Sequence, residues 1–547
     1  MAGVRARRAV TGNALFYGDN LDVLRKSIPD ESVDLIYLDP PFNSNRSYNV
    51  LFKSHSGTES QAQIEAFDDT WHWSTQTETT FIELAMTGQN PEVAKAITAM
   101  RDLLGPNDVL AYLVMMTPRL VELHRVLKPT GSMYLHCDPT ASHYLKVMLD
   151  AIFGPTNFRN EIVWKRADAK GDAGGQGAKH FGRVNDTILF YSKGPESTFN
   201  ALYGPLDEDY VNTWYRHSDP DGRRYKLDNM TGPGGAAKGN PYYEVMGVGR
   251  YWRYSKKRME ALIAEGRVVQ TNPGTVPMYK RYLDESLGTP ITANWSDISF
   301  VRGHAAEKLG YPTQKPLALL ERIIAASSNE DDVILDPFCG CGTAVDAAQK
   351  MRRQWIGIDV TYLAVDLIQR RLHHSHGPEI AATYTVHGIP ADVDGAHVLF
   401  ASNPFDFERW AVSLVDGRPN EKQTGDRGID GRVVFPTAVD RLGLMLASVK
   451  GGKAINPGMV RDLVGTVRTE RAEMGLLITL SEPTRGMRDA AKKAGTFTHD
   501  LTGRTFPKVQ IITIEELFVG KRPEMPTPVL PYVTARAVSR DQLSLGV

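Results

Sequence analysis

The chain has 547 residues, enough for roughly two to four domains. Its 63 Lys and Arg balance 64 Asp and Glu to a net charge of −1, so any surface for a polyanion must gather its cations locally. No run of about 18 apolar residues suggests a membrane span, the N-terminus lacks a signal-peptide core, and the sparse cysteines Cys137, Cys339 and Cys341 exclude a disulfide scaffold and a zinc site and point to a reducing, cytoplasmic setting.

Residues 15–42 form an α/β unit: LFYGDN closes a strand, LDVLRKSI is a short helix, and VDLIYLDPPF is a strand entering a tight turn. Residues 107–136 repeat that logic, with a helix in VLAYLVMMTPRLVELHRVL, a turn at Lys128-Pro129-Thr130-Gly131 and a buried strand in SMYLHC. LKVMLDAIFG is a further helix, and EIVWKR and DTILFYS are strands. Residues 195–300 are rich in Gly, Pro, Tyr and Arg with weak periodicity, as expected of an inserted, irregular module.

Doubly wound order resumes over 315–375, with helix KPLALLERIIAASS, strand DDVILDPF, helix TAVDAAQKM and strand QWIGIDV. A second α/β domain spans 400–522: helix FDFERWAVSLV, strands RGIDGRVVF and GLMLASVKGG, helix MVRDLVGTVRTERAEM, strand GLLITL, helix MRDAAKKAG and a final VQIITIEELF. Residues 523–547, with PEMPTPVLP, read as a tail. The expected division is therefore a Rossmann-like domain split into 1–194 and 301–390, the insert 195–300, the second domain 400–522 and the tail.

Two turns lie at the carboxyl ends of expected strands, where open α/β sheets bind ligands. The second, Asp336-Pro337-Phe338-Cys339-Gly340-Cys341-Gly342-Thr343, lets backbone approach a ligand at Gly340 and Gly342 and leads into a helix N-terminus. Asp359, about 20 residues on, sits where an acid bonds ribose hydroxyls. Together they suit a nucleoside. The first turn, Asp39-Pro40-Pro41-Phe42, offers a carboxylate and the Pro40 carbonyl as acceptors for an aromatic amino group. Such acceptors draw the nitrogen lone pair out of the ring and make it nucleophilic. Pro40 and Pro41 stiffen the turn, and Phe42 can stack on an extruded base.

DPPF together with DPFCGCGT resembles the DNA amino-methyltransferases, and the order of catalytic motif before cofactor motif resembles their permuted β class. Gly18-Asp19-Asn20, Thr313-Gln314-Lys315-Pro316 and LKPTGSMYLHCDP follow the family's order over roughly residues 12–380. The resemblance implies S-adenosyl-L-methionine as cofactor, held by Asp19, Lys315, Asp336, Pro337, Phe338, Gly340, Gly342, Thr343 and Asp359, with Asp39, Pro40, Pro41 and Phe42 as the catalytic turn. Asp rather than Ser at position 39 accompanies adenine-N6 more than cytosine-N4 methylation in that family, and both stay open. The resemblance also implies double-stranded DNA as partner, a homodimer as a further option, target recognition by 195–300 and a setting in restriction–modification or phage defence.

Lys165, Arg166 and Arg183 flank a glycine-rich stretch suited to phosphate contact, and Arg250, Trp252 and Arg253 mix charge with an aromatic ring. Residues 400–522 resemble an Mrr-like restriction endonuclease domain of the PD-(D/E)xK type. There Asp430 would hold Mg²⁺ and Lys450 would orient water, Glu408 would add an oxygen, and Ser448 stands where such nucleases carry an acid or amide. Competing readings are a DNA-binding protein or nuclease with an inactive methyltransferase domain, and a dinucleotide oxidoreductase. The last is disfavoured because DPFCGCGT lacks a third glycine.

Overall fold

The structure, a computed structural model, describes residues 12–40, 73–87, 90–167, 181–301, 307, 314–419, 428–438 and 441–527. Pro41, Phe42 and Thr313 and most of the expected tail lie outside the described residues.

A nine-stranded sheet organises the first part of the chain, in the order Asn294–Trp295, Phe158–Lys165, Asn185–Ser192, Leu127–Cys137, Val33–Leu38, Val333–Asp336, Gln354–Asp359, Asn13–Tyr17 and Tyr384–His387. Only Asn185–Ser192 runs against its neighbours. The central strand VDLIYL is nearly all apolar because helices cover both faces. On one face Leu38, Leu135 and Ile358 share a core with Leu24, Ile97, Leu113 and Leu145 from four helices. On the other, Tyr134 is bonded to Ser327 of helix Leu317–Ser327, 2.7 Å between their hydroxyl oxygens.

Val33–Leu38 pairs with Leu127–Cys137 on one side and with Val333–Asp336 on the other. The chain leaves this point in opposite directions, the arrangement at whose carboxyl edge open α/β sheets bind ligands. Strands separated by some 300 residues thereby become neighbours: Leu35 lies opposite Ile334 and Ile36 opposite Leu335.

Cα packing divides the chain into two compact units, 201–292 and the remainder. The smaller unit is more regular than its sequence suggests. It holds a four-stranded sheet, a hairpin of Tyr242–Val245 with Val248–Tyr251, and helix Lys256–Ala264 around Met230, Val245, Trp252, Met259 and Leu262. Its strands of two to six residues, broken by Gly and Pro, are too short to display a period.

The C-terminal five-stranded sheet runs Arg418–Pro419, Gly431–Ala438, Arg441–Lys450, Met474–Thr479, Val509–Thr513. Cα packing places it in the same compact unit as the methyltransferase-like sheet. Its core, built on Phe407, Trp410, Val433 and Ile478, also takes in Tyr362, with Tyr17 packed against it. The helix FDFERWAVS carries aromatic rings that need cover, and the first sheet supplies part of it.

Candidate active site

Parallel pairing sets the carboxyl ends of four strands in a row, bringing Asp39, Asp336, Asp359 and Gly18 to one edge. Gly18 donates its N–H to the carbonyl of Asp359 at 2.9 Å. At this edge, the Lys315 ammonium contacts Oδ2 of Asp39. The other oxygen, Asp39 Oδ1, is buried and has no hydrogen-bond partner among the described residues. Lys315, expected at the cofactor, thus touches the carboxylate of Asp39. Pro40 is buried beside it.

The glycine turn is tied down at several points. Asp336 Oδ1 accepts from the Phe338 amide at 3.0 Å, and Gly342 N–H donates to the Cys339 carbonyl at 2.7 Å. Asp359 accepts from the Gly340 amide at 2.9 Å and from the Thr361 amide and hydroxyl, both at 2.8 Å. Gly342 has φ +74°, and a Cβ there would lie 2.6 Å from Ile368 Cγ1, so glycine is required twice over. Thr343 opens the following helix, and its hydroxyl donates to the Lys315 carbonyl at 3.3 Å.

Two arginines that build this site escaped sequence reading. Arg371 donates to the Cys341 carbonyl at 3.2 Å, to Thr343 Oγ1 at 3.0 Å and to Asp346 at 2.8 Å. Arg119 pairs with both oxygens of Asp19 (3.0 and 2.9 Å) and with Asn20 at 2.7 Å. Asn20 in turn donates to the Pro337 carbonyl at 2.8 Å, so the Gly-Asp-Asn turn and the Asp-Pro-Phe turn are one network. Asp19 also caps helix Asn20–Ser27 through the Leu21 amide at 2.7 Å. Each shares its helix with a second arginine, Arg125 or Arg370, and nothing in the residue pattern singles it out, so the available signal was weak.

Burial, with the charges of Asp39 and Asp359 nearby, pushes the Asp336 carboxyl well above its ordinary range, and burial raises Asp359 as well. The edge is therefore an acidic, desolvated pocket that gains from a cation. S-adenosyl-L-methionine carries a sulfonium and an ammonium group, and these residues fit it: acids for the cation, backbone and Asp359 for a nucleoside, and an unpartnered Asp39 oxygen for an amino N–H.

Behind the catalytic turn lies a buried polar chain. The Tyr37 hydroxyl is 3.1 Å from His136 Nδ1, and His136 Nε2 is 3.1 Å from Asp186 Oδ2. Arg166 Nε stands 3.0 Å from Asp186 Oδ1. Burial pushes Asp186 up, but His136 and Arg166 together outweigh it and hold the carboxyl below its usual value. The guanidinium of Arg166, expected on DNA, is turned to this internal acid, whereas Lys165 and Arg183 are exposed. Trp252 requires a correction. It is fully buried in the core of the small unit, its indole N–H donating to the Tyr243 carbonyl at 2.8 Å, and so cannot stack on a base. Arg250 and Arg253 are exposed.

In the C-terminal sheet, Asp430 Oδ2 accepts from the Val449 amide at 2.5 Å and the Ser448 hydroxyl at 3.2 Å, with Lys450 Nζ at 3.6 Å. Ser448 and Lys450 do share a strand face. Ser448 supplies no charge toward the expected Mg²⁺, and Asp430 Oδ2 is taken up by hydrogen-bond donors. Glu408 lies half-buried on helix Pro404–Ser413. Among the described residues, no group of three His, Cys, Asp or Glu side chains converges to hold a metal ion.

A doubly wound sheet with buried carboxylates gathered at the carboxyl edge of its central strands defines an α/β protein of the class that binds ligands at that edge. Residues 33–370 match the N6/N4 family model described as DNA methylase, and the chain belongs to that family. Type II methyltransferase M.EcaI of Enterobacter cloacae is 27% identical over 67% of this chain and 70% of its own length. The Mod subunit of the type III restriction-modification enzyme StyLTI of Salmonella typhimurium is 27% identical over 62% of this chain and 50% of its own length. DNA adenine methyltransferase YhdJ of Escherichia coli is 26% identical over 65% and 82%. Residues 406–518 match a different model from the Mrr-like one expected, the NACHT-associated inactive Restriction Endonuclease 1.

Proposed function

We propose that this DNA methyltransferase uses S-adenosyl-L-methionine to methylate the N6 amino group of adenine in double-stranded DNA, as the modification arm of a restriction–modification or phage-defence system. The observation that carries the reading is the buried, unpartnered Asp39 Oδ1 beside an acidic pocket. The cofactor supplies an electrophilic methyl group. Lys315 fixes one oxygen of Asp39 and leaves the other to accept an N–H from the target base. The Pro40 carbonyl is the second acceptor. Two acceptors on one amino group pull its lone pair out of conjugation and toward the methyl group. Glycines 340 and 342 let the turn lie against the nucleoside, with Asp359 within reach of the ribose. Asp19, Pro337, Phe338 and Thr343 complete the cofactor wall, and residues 201–292 supply target recognition.

The C-terminal sheet serves as a nuclease-like, non-cleaving domain in this proposal. It holds one engaged acid where cleavage needs a charged metal cage. Incubating the full chain with plasmid DNA and Mg²⁺ is expected to leave the DNA supercoiled, and nicking would overturn that assignment. For the transferase, DNA treated with the protein and cofactor is digested and its nucleosides are weighed. N6-methyladenine is the expected product; N4-methylcytosine alone would move the target to cytosine.

A further inference from the structure

The small unit 201–292 separates its charges. Around strands Arg224–Asn229 and Met278–Tyr282 the cations are neutralised in place: Arg223 by Asp284, Arg267 by Glu285, Lys280 by Asp219 and Arg281 by Asp228. The other half is different. Lys238, Arg250, Arg253, Lys256 and Lys257 are exposed, and none makes an ion pair among the described residues. Residues 229–258 hold six Lys and Arg against one acid, Glu244.

The hairpin gives this half a defined face. Met246 and Gly247, both at positive φ, close it tightly. Alternation then sends Tyr243, Val245 and Trp252 into the core and leaves Tyr242 and Tyr251 outward, at 64% and 38% exposure. The two outward rings pack edge to face with centroids 5.1 Å apart. Two glycines leave them room: a Cβ on Gly249 would sit 2.7 Å from the Tyr242 hydroxyl, and one on Gly235 would sit 3.3 Å from the Tyr251 ring. Arg253 follows on the same alternation and is anchored to the Thr231 carbonyl at 3.1 Å. Lys256 and Lys257 come next, in the first turn of helix Lys256–Ala264. That is the wrong end of a helix for cations, which the backbone dipole disfavours there. Charge placed against stability in this way argues for a binding role.

We propose that the face formed by Tyr242, Tyr251, Arg253, Lys256 and Lys257 grips the phosphodiester backbone of duplex DNA without reading sequence, the cations on phosphates and the tyrosine pair against the sugar edge. The proposal rests on the reading of the chain as a DNA methyltransferase. It differs from base recognition in predicting a purely electrostatic and sequence-blind contribution.

The test measures affinity against salt for the full chain, on the methylated site sequence and on a scrambled duplex. Arg253→Ala/Lys256→Ala/Lys257→Ala is expected to weaken both equally and to reduce the slope of log K on log salt by about 2–3, at roughly 0.9 for each phosphate no longer neutralised. Tyr242→Ala or Tyr251→Ala is expected to weaken both duplexes about ten-fold. Lys257→Ala alone is expected to reduce the slope by about 1 while the melting temperature holds or rises. Arg281→Ala, on the neutralised half, is expected to leave the slope unchanged. An unchanged slope in the triple variant, with wild-type binding intact, overturns this proposal and spares the parent reading. An equal fall for Arg281→Ala also overturns it. Absence of DNA binding by a wild-type chain that still binds cofactor overturns both.

Discussion

Asp39 and Asp336 stand some 300 residues apart in the chain and side by side in the sheet, yet they have different jobs. In the proposed mechanism Asp39 offers one oxygen to a substrate N–H, so Asp39→Ala is expected to lower methyl transfer by at least about 100-fold while cofactor affinity, read by calorimetry, changes little. Asp336 is a buried acid whose raised pKa marks an unfavourable charge. A raised folded-state value favours folding at low pH, and that contribution is lost as pH climbs from near 4 through the folded value. A bound cation offsets the cost. The melting-temperature gain on adding S-adenosyl-L-methionine is therefore expected to grow with pH across that window. Asp336→Asn keeps the acceptor for the Phe338 amide but removes the charge. It is expected to stabilise the cofactor-free protein by about 1 kcal/mol and to weaken cofactor binding, read by thermal melts with and without ligand.

At the scale of elements, the cofactor turn is only as firm as the helix behind it. Helix Tyr362–His376 sends Arg371 back to the Cys341 carbonyl, to Thr343 and to Asp346, whose carboxyl is held low by His376 and Arg371 in spite of its burial. Arg371→Ala leaves that buried acid with His376 at 2.8 Å and a long contact from the Ser375 hydroxyl at 3.5 Å. A destabilisation of about 3 kcal/mol is expected, with cofactor affinity falling more than affinity for DNA. Arg371→Lys keeps the charge but cannot span three acceptors, so it is expected to recover stability better than affinity. Denaturant melts alongside calorimetric titration separate the two effects.

Across the whole molecule, the methyltransferase sheet and the C-terminal sheet share packed side chains. Tyr362, three residues after Asp359, is buried in the C-terminal core, and Arg370 bridges Asp366 and Asp416. Burial raises Tyr17, and a hydrogen bond with Asp406 adds to it. Two parts joined through a common core unfold together. The two sheets are expected to lose structure in one calorimetric transition, and Tyr362→Ala to lower it by about 3 kcal/mol. Separate transitions for the two sheets in the wild-type chain would contradict the shared core.

Much of the site could be read from residue order alone. Asp39-Pro40 and the glycine turn are local: a strand must end there, Pro and Gly set the backbone, and the acid's chemistry follows from its type. The strands VDLIYL and QWIGID announced themselves by continuous burial. Other features needed the folded chain. Trp252 and its neighbours Tyr251 and Arg253 look alike in composition, and only the hairpin's alternation decides that Trp252 is core while the others face out. Arg166 read as a free cation until Asp186, brought in by an antiparallel strand, claimed it. Short-range stereochemistry determined what each turn could do. Long-range packing decided which carboxylate stayed unpartnered, which cations stayed unpaired and which sheets share a core, because those depend on neighbours that the chain meets only once it is folded.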